Sequence, residues 1–309
     1  MNEKNIVGQV VSIKANYLLV KLQQEYLQAS KEILEKQINL SSFRLLCTCR
    51  NKIIYNGEKI NVGDNVFLDS IDWKNSRAVI SKLIPRRNRL TRPSIANVDK
   101  VFVVASLRNP TLDLDQISRF LISAEQKDLT ASIILSKNDL LSSEDSNFQL
   151  DRFRSWGYEA FAVSVKTNYG FRELENSLLK TKLSVFCGPS GVGKTSLINR
   201  FLPHVTLPIG SLSRRLQRGK NTTRHVELFS IKEDCMIADT PGFNRPDLLI
   251  DPIHFADLFP EIRSQLQLKT CKFRDCLHRD EPGCVIDKNF DRYRFYRENL
   301  EEMMINYRR

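Results

Sequence analysis

Three clusters of residues in this 309-residue chain have types and spacings that could do chemistry. The first is Gly188-Pro189-Ser190-Gly191-Val192-Gly193-Lys194-Thr195, which satisfies GxxxxGK[ST] between the apolar run LSVFC and the helix-like TSLINRFL. Strand, glycine loop, helix is the order such a loop requires, because its backbone N–H groups must turn around phosphate oxygens at a helix N-terminus. Lys194 would bring a mobile charge to the outer phosphates, which makes it a binding and a catalytic candidate, and Ser196 follows on the first helical turn. The Thr195 hydroxyl can ligate Mg²⁺. The second cluster, Asp239-Thr240-Pro241-Gly242, follows the run CMIA. A carboxylate there can hold Mg²⁺ through water, and the Gly242 N–H can sense a γ-phosphate. Alone a DxxG is an ordinary turn; downstream of a matching phosphate loop it reads as that loop's partner. The third cluster is Cys271-x4-Cys276-x-His278-x5-Cys284, three thiols and one imidazole within fourteen residues. This donor set suits one structural, four-coordinate Zn²⁺ with no position left open for chemistry.

Two further loops address which base is bound. Ser136-Lys137-Asn138-Asp139, after ASIIL, resembles the [NT]KxD element that reads guanine. Its Asp can accept two hydrogen bonds from the N1 and N2 edge, which adenine cannot donate, and the Lys stem packs on the base. Ser164-Val165-Lys166, after EAFAV, resembles the SAK element that supports the same base through backbone N–H groups. Both depart from the usual form, with Ser136 in place of Asn and Val165 in place of Ala. Together, at successive strand ends beside a phosphate loop, they favour GTP over ATP.

The elements that must position these loops follow from pattern. Apolar runs at 98–105, 131–135, 159–163, 183–187 and 235–238 read as buried strands, separated by amphipathic segments near 114–126, 147–155, 171–180 and 194–201. That alternation predicts an α/β domain with a mainly parallel sheet. Upstream, short β-like runs at 6–20, 43–49, 66–68 and 78–83 with intervening turns predict a small barrel of the oligonucleotide-binding type, with 23–38 as an insertion. Downstream comes the cysteine-rich stretch and a charged helix over 289–308, in which Phe290, Tyr293, Tyr296, Leu300 and Met304 form a packing stripe. The expected boundaries are 1–84 for the barrel, 85–93 for a basic linker, 94–248 for the nucleotide domain and 249–309 for the zinc tail with its helix. Cys47, Cys49, Cys187 and Cys235 fall on strand-like runs and read as core residues.

The order of the loops is informative. The base-reading elements at 136–139 and 164–166 precede the phosphate loop at 188–195 and DxxG at 239–242, whereas an ordinary GTPase has them afterwards. The chain therefore reads as a circularly permuted GTPase, which is tolerable because domain termini often lie close together. With its basic barrel and metal tail it resembles, over nearly its whole length, the RsgA family of small-ribosomal-subunit biogenesis GTPases. The resemblance implies binding to the small subunit and its rRNA late in maturation, with GTP hydrolysis stimulated by the ribosome. It also implies the same zinc ligands. In the cation-rich stretch 214–225 it favours Thr223 as a second Mg²⁺ ligand, with Thr222 the alternative. The family commonly carries a His before that Thr pair, a candidate for orienting the attacking water; here Asn221 stands there, and His225 is four residues on. After DxxG, where a water-orienting Gln is often found, this chain has Phe243.

Charge and composition bound the alternatives. The net charge is +11, and residues 1–92, with 16 Lys and Arg against 8 Asp and Glu, carry +8 of it. Such a concentration of cations attracts phosphate backbones. No apolar run approaches the roughly 20 residues of a membrane span, and the first ten residues lack the apolar stretch of an export signal. Seven cysteines, three of them in the metal cluster, point to a reducing compartment. A cytoplasmic monomer that turns GTP into GDP and phosphate is expected. The rival readings are an ATP-using P-loop enzyme and an RNA-binding module with a degenerate, non-hydrolysing nucleotide site.

Overall fold

The structure is a computed structural model that describes residues 6–14, 16–23, 43–50, 59–91, 94–202, 226–232, 235–239 and 250–307. Asn221, Thr222, Thr223, His225, Gly242, Phe243 and the expected insertion at 23–38 lie wholly or almost wholly outside the described residues. The chain forms two compact units: Met1–Lys100, Glu175–Phe186 and Thr195–Phe243 make one, and Val101–Leu174, Cys187–Lys194 and Asn244–Arg309 the other.

In the first unit, β1 (Ile6–Ile13), β2 (Leu18–Leu22), β3 (Leu45–Cys49), β4 (Asn65–Asp72) and β5 (Arg77–Leu83) close into a barrel. β1 pairs with β2, β2 with β3, β3 in parallel with β5, β5 with β4, and β4 back with β1. That is the closed five-stranded arrangement of an oligonucleotide-binding barrel. Its core is apolar: Val10, Val20, Leu22, Leu45, Val66, Leu68 and Ile80 are buried together. In β4 the buried Val66 and Leu68, and in β5 the buried Ala78 and Ile80, follow the period-2 rule that sends alternate side chains inward.

The described part of the basic stretch, residues 85–91, is anchored on the protein. Arg86 donates two hydrogen bonds to the buried Asp64 carboxylate, at 2.6 and 2.8 Å, and Arg87 donates to Asp99 at 2.6 Å. Its last described residues form β6 (Arg89–Thr91), which pairs with β7 (Ser94–Ala96).

The same unit contains β11 (Leu183–Cys187, all but its last residue), β12 (Glu227–Lys232) and β13 (Cys235–Asp239). β11 and β13 are parallel, β12 runs antiparallel to β13, and β12 also pairs with barrel strand β1. β12 has no counterpart among the expected strands, because ELFSIK buries only Leu228 fully and shows no clean alternation.

In the second unit β8 (Lys100–Ser106), β9 (Thr130–Ser136) and β10 (Glu159–Ala162) are neighbours in one sheet, with β9 and β10 parallel. α1 (Leu114–Glu125) starts at Asp113, whose side chain accepts from the Gln116 N–H. α2 (Ser143–Ser155) starts four residues before the apolar pattern, because Ser142 caps it by accepting from the Asp145 N–H. After β10 comes α3 (Phe171–Leu178), and the tail carries α5 (Pro252–Phe255), α6 (Pro260–Leu268) and α7 (Tyr293–Tyr307). The helix expected over 289–308 begins at Tyr293 instead, since Asn289 donates its N–H to the Asp287 carboxylate in a turn before it. The stripe is a packing face, as its spacing suggested: Tyr296 and Leu300 are buried with Phe255, Phe259, Ile262 and Phe295, and Phe290, Tyr293 and Met304 pack against them. Beneath them Arg292 makes a buried bidentate pair with Glu261 and lies over the rings of Trp156, Tyr158 and Phe259. No helix among the described residues is long and apolar enough to cross a membrane.

Candidate functional site

The second unit brings the base-reading loops and the phosphate loop together. β9 ends on Ser136, β10 leads into Ser164, and Gly188–Lys194 follow β11. Gly188 has φ +134°, and a Cβ there would stand 2.1 Å from the Val104 carbonyl oxygen. Only glycine lets the loop pass so close to β8. At Gly193, φ is +93° and a Cβ would meet nothing within 4 Å. Here the left-handed backbone requires glycine, and the space before it is open. Helix α4 (Lys194–Phe201) begins directly after it. Lys194 Nζ donates to the Gly188 and Pro189 carbonyls at 2.7 and 2.6 Å, so the ammonium is curled over its own loop. Ser190 and Gly191 are exposed and Val192 is buried beneath them.

Hydrogen bonds tie the base loops to this loop. The buried Ser136 hydroxyl lies 2.6 Å from the Val192 carbonyl and 2.9 Å from that of Ala105, so one proton serves two acceptors. Lys137 adopts a left-handed φ of 56° and donates from Nζ to the Gly191 carbonyl at 2.8 Å and to that of Asn109. Asn138 donates its N–H to Val163, and its side chain accepts from Ser146. Asp139 is exposed, and one of its carboxylate oxygens accepts from the buried Ser164 hydroxyl at 2.6 Å. Val165 and Lys166 are exposed just beyond Ser164, in a loop that Ser164 and Tyr169 close with two backbone hydrogen bonds. Thus every candidate from 136–139, 164–166 and 188–194 falls in one unit. The Ser136 departure is explained by its position: a short hydroxyl reaches the carbonyls of both Ala105 on β8 and Val192 in the phosphate loop.

Thr195, Ser196 and Asp239 lie in the first unit. Thr195 is buried and Ser196 half-buried on the first turn of α4. Asp239 is the last residue of β13, opposite Glu227 on β12. Cys187, buried just before the phosphate loop, has its thiol pushed well above the ordinary range by burial, and burial raises Cys47 to about 12 and Cys235 to about 11. These are protonated core thiols rather than nucleophiles.

In the tail, the ligand atoms of Cys271, Cys276, His278 and Cys284 all lie within 4.8 Å of one another. The His278 Nδ1 atom is 3.6 Å from the sulfurs of both Cys271 and Cys284. A tetrahedral zinc with bonds of about 2.3 Å to sulfur and 2.0 Å to nitrogen would set such atoms about 3.5 Å apart, so the donors fit that ion. The loop is shaped by residues that the ligand pattern did not reveal. Glu281 accepts from the N–H groups of Leu277 and Arg279, and Tyr296 and Tyr293 donate from α7 to the carbonyls of Leu277 and His278. Burial holds the His278 pKa below the usual imidazole value, against the opposing charges of Glu281 and Asp257. A neutral imidazole is the form that ligates.

The RsgA GTPase family model matches residues 83–249 of this chain. The chain belongs to the RsgA GTPase family. A relative 50% identical, covering 98% of this chain and 96% of its own length, is the small ribosomal subunit biogenesis GTPase RsgA of Prochlorococcus marinus strain NATL1A. The protein of the same name from strain MIT 9303 is 48% identical over 96% of this chain and 92% of its own. Among solved structures, YjeQ from Thermotoga maritima superposes with a TM-score of 0.75 at 29% identity, covering 97% of this chain and 98% of its own. YloQ, described as a circularly permuted GTPase, gives 0.76 at 26% identity, covering 99% and 97%. Membership of the RsgA family and the order of the loops make this chain a circularly permuted GTPase, a GTP-hydrolysing enzyme with a barrel before its catalytic domain and a Cys₃His cluster after it.

Proposed function

We propose that this enzyme binds the small ribosomal subunit and assists its late maturation, using GTP hydrolysis to time arrival and release. The observation that carries the reading is the convergence of the permuted guanine and phosphate loops in a chain so similar to named subunit-biogenesis GTPases. Asp139 reads guanine N1 and N2, Lys137 covers the base, and Ser136, Asn138, Ser164, Val165 and Lys166 support it. The backbone of Gly188–Thr195, with Pro189, Ser190, Gly191, Val192 and Gly193, holds the phosphates, helped by Ser196 and Gly242. Lys194 leaves its own loop carbonyls to stabilise the charge developing between β- and γ-phosphate.

Mg²⁺ would bring further positive charge to the same oxygens, and Thr195, Thr223 and Asp239 are the residues to hold it. Cys271, Cys276, His278 and Cys284 would hold one structural Zn²⁺ per chain. Asn221 is the candidate for placing the water, and an amide can orient water without acting as a base near neutral pH. The working division is a barrel at 1–84, a basic linker at 85–93, the GTPase domain at 94–248 and the zinc tail at 249–309. The barrel and tail contact rRNA, and the enzyme acts as a cytoplasmic monomer.

The test is GTP turnover by the full chain with and without purified small subunits. Slow basal hydrolysis, strong stimulation, and stimulation at subsaturating subunit that falls steeply with salt are expected. Turnover indifferent to subunits would reject the reading, and equal competition by ATP would return it to the ATP-using alternative.

A further inference from the structure

One strand joins the barrel to the catalytic machinery within the first unit. β12 pairs with barrel strand β1 through Ser12 opposite Glu227, and with β13 through Glu227 opposite Asp239. Ser12, Glu227 and Asp239 therefore form one cross-strand row over three adjacent strands, running from the barrel wall to the residue proposed for magnesium. In sequence Glu227 also stands three residues after Arg224 of the cation-rich stretch.

The seam between β1 and β12 is polar, unlike the barrel's interior. Lys14 Nζ lies 3.9 Å from a Glu227 carboxylate oxygen, and Lys21 Nζ donates to the Ser230 hydroxyl at 3.2 Å. Burial lowers the pKa of the half-buried Arg44 guanidinium, and the Glu227 charge acts against that shift. Among the described residues the buried Ser12 hydroxyl and the Arg44 Nη1 atom have no hydrogen-bond partner. A closed apolar core resists small displacement, because each shift opens voids. A seam with one loose charge pair, a lysine–serine hydrogen bond and unsatisfied polar atoms can exchange partners more readily than a packed core, and it responds to a polyanion that draws on the same cations.

We infer that β12 is the coupling strand between barrel and nucleotide site, with Glu227 its positioning residue: RNA on the barrel alters the hold of Lys14 on Glu227, and the cross-strand row carries that change to Asp239. The inference rests on the functional reading above and names the regulation of that same site. Glu227 touches neither substrate nor metal in this scheme; it acts by setting where β13 ends.

The experiment is a double-mutant cycle in the full-length protein with Lys14→Gln, Glu227→Gln and the pair. Basal GTP turnover, turnover at saturating small subunit and the Kd for the subunit are measured for each. Each single variant should lower saturated, stimulated turnover about five-fold, a coupling within the range of residues that touch, while basal turnover stays within about two-fold. The double variant should be no worse than the poorer single, and Glu227→Asp, which keeps the charge, should recover part of the loss. A Lys14 variant that weakens only the subunit Kd, or losses that multiply in the double, would overturn the coupling, because both describe an independent phosphate contact. Equal loss of basal and stimulated turnover would overturn it as well, since a merely structural role predicts that. A stimulated wild type with an equally stimulated Glu227→Gln variant would defeat the coupling alone; an unstimulated wild type would defeat the functional reading and the coupling together.

Discussion

The nucleotide loops and the metal tail are both short segments that gather polar groups, yet they are held in opposite ways. Around the nucleotide loops, much of the gathering is done by protein groups bonding to protein backbone. Ser136 joins Val192 and Ala105, Lys137 reaches Gly191, and Lys194 folds back on Gly188 and Pro189. In the tail, four donor atoms converge on one another, and the Cys276 thiol is pushed up to about 12 by burial and by the neighbouring thiols of Cys284 and Cys271. Four such groups without a cation are a costly arrangement; with one they are a strong clamp. A site that releases its ligand every cycle must keep its shape from its own hydrogen bonds. A site that keeps its ligand can let the ligand supply the shape.

The largest effect expected from this contrast is at the tail. Cys276→Ser should reduce zinc from about one per chain to near zero by metal analysis, because structural zinc contributes about 10 kcal/mol or more to such a loop. Proteolysis should then cut first within 271–284, while GTP affinity stays within about two-fold. Loss of GTP binding together with zinc would break the comparison by showing that the nucleotide loops, which share the tail's compact unit, take their shape from the metal as well.

A smaller effect is expected at Asp139. In the proposed role Asp139 accepts two charge-assisted hydrogen bonds from guanine, so Asp139→Asn should lower GTP affinity about 100-fold, at roughly 1.5 kcal/mol for each bond. Preference should move toward xanthine nucleotides, which present an acceptor where guanine has its amino group. Unchanged selectivity in competition would mean that the exposed carboxylate serves only Ser164.

The smallest effect sharpens the comparison. Ser136→Ala takes the shared proton from the Val192 and Ala105 carbonyls. It should weaken GTP binding by about five-fold, the scale of one lost buried hydrogen bond, and leave zinc content unchanged. A titration showing wild-type GTP affinity would mean that the phosphate loop holds its shape without the base loop.

Much of this was legible in the chain itself. The glycine loop, the four candidate metal ligands and the reversed order of the guanine and phosphate elements are patterns of near neighbours, and the structure gathers those at 136–139, 164–166 and 188–194 into one unit. Barrel strands showed through their alternation and turns, although their order 1-2-3-5-4 did not. The stretch at 85–93 reads as a linker because proline and arginine say nothing about partners. Its anchoring depends on Asp64 and Asp99, acids that nothing in the sequence marks as partners of Arg86 and Arg87.

The sequence alone determined the chemistry available: which residues can cradle phosphate, read guanine or ligate zinc, because covalent spacing sets what a single loop can present. Tertiary structure decided how those loops are connected. Ser136 looked like a lapse from the guanine element until its hydroxyl was found between two carbonyls. Arg292 became a buried anchor only through Glu261 and the rings of Trp156, Tyr158 and Phe259, the nearest of which lies more than thirty positions away in the chain. β12 is the sharpest case: its six residues carry a weak pattern, and their partners on β1 lie more than two hundred positions earlier. Periodicity records which face of an element is buried, and it holds no record of the distant strand that buries it.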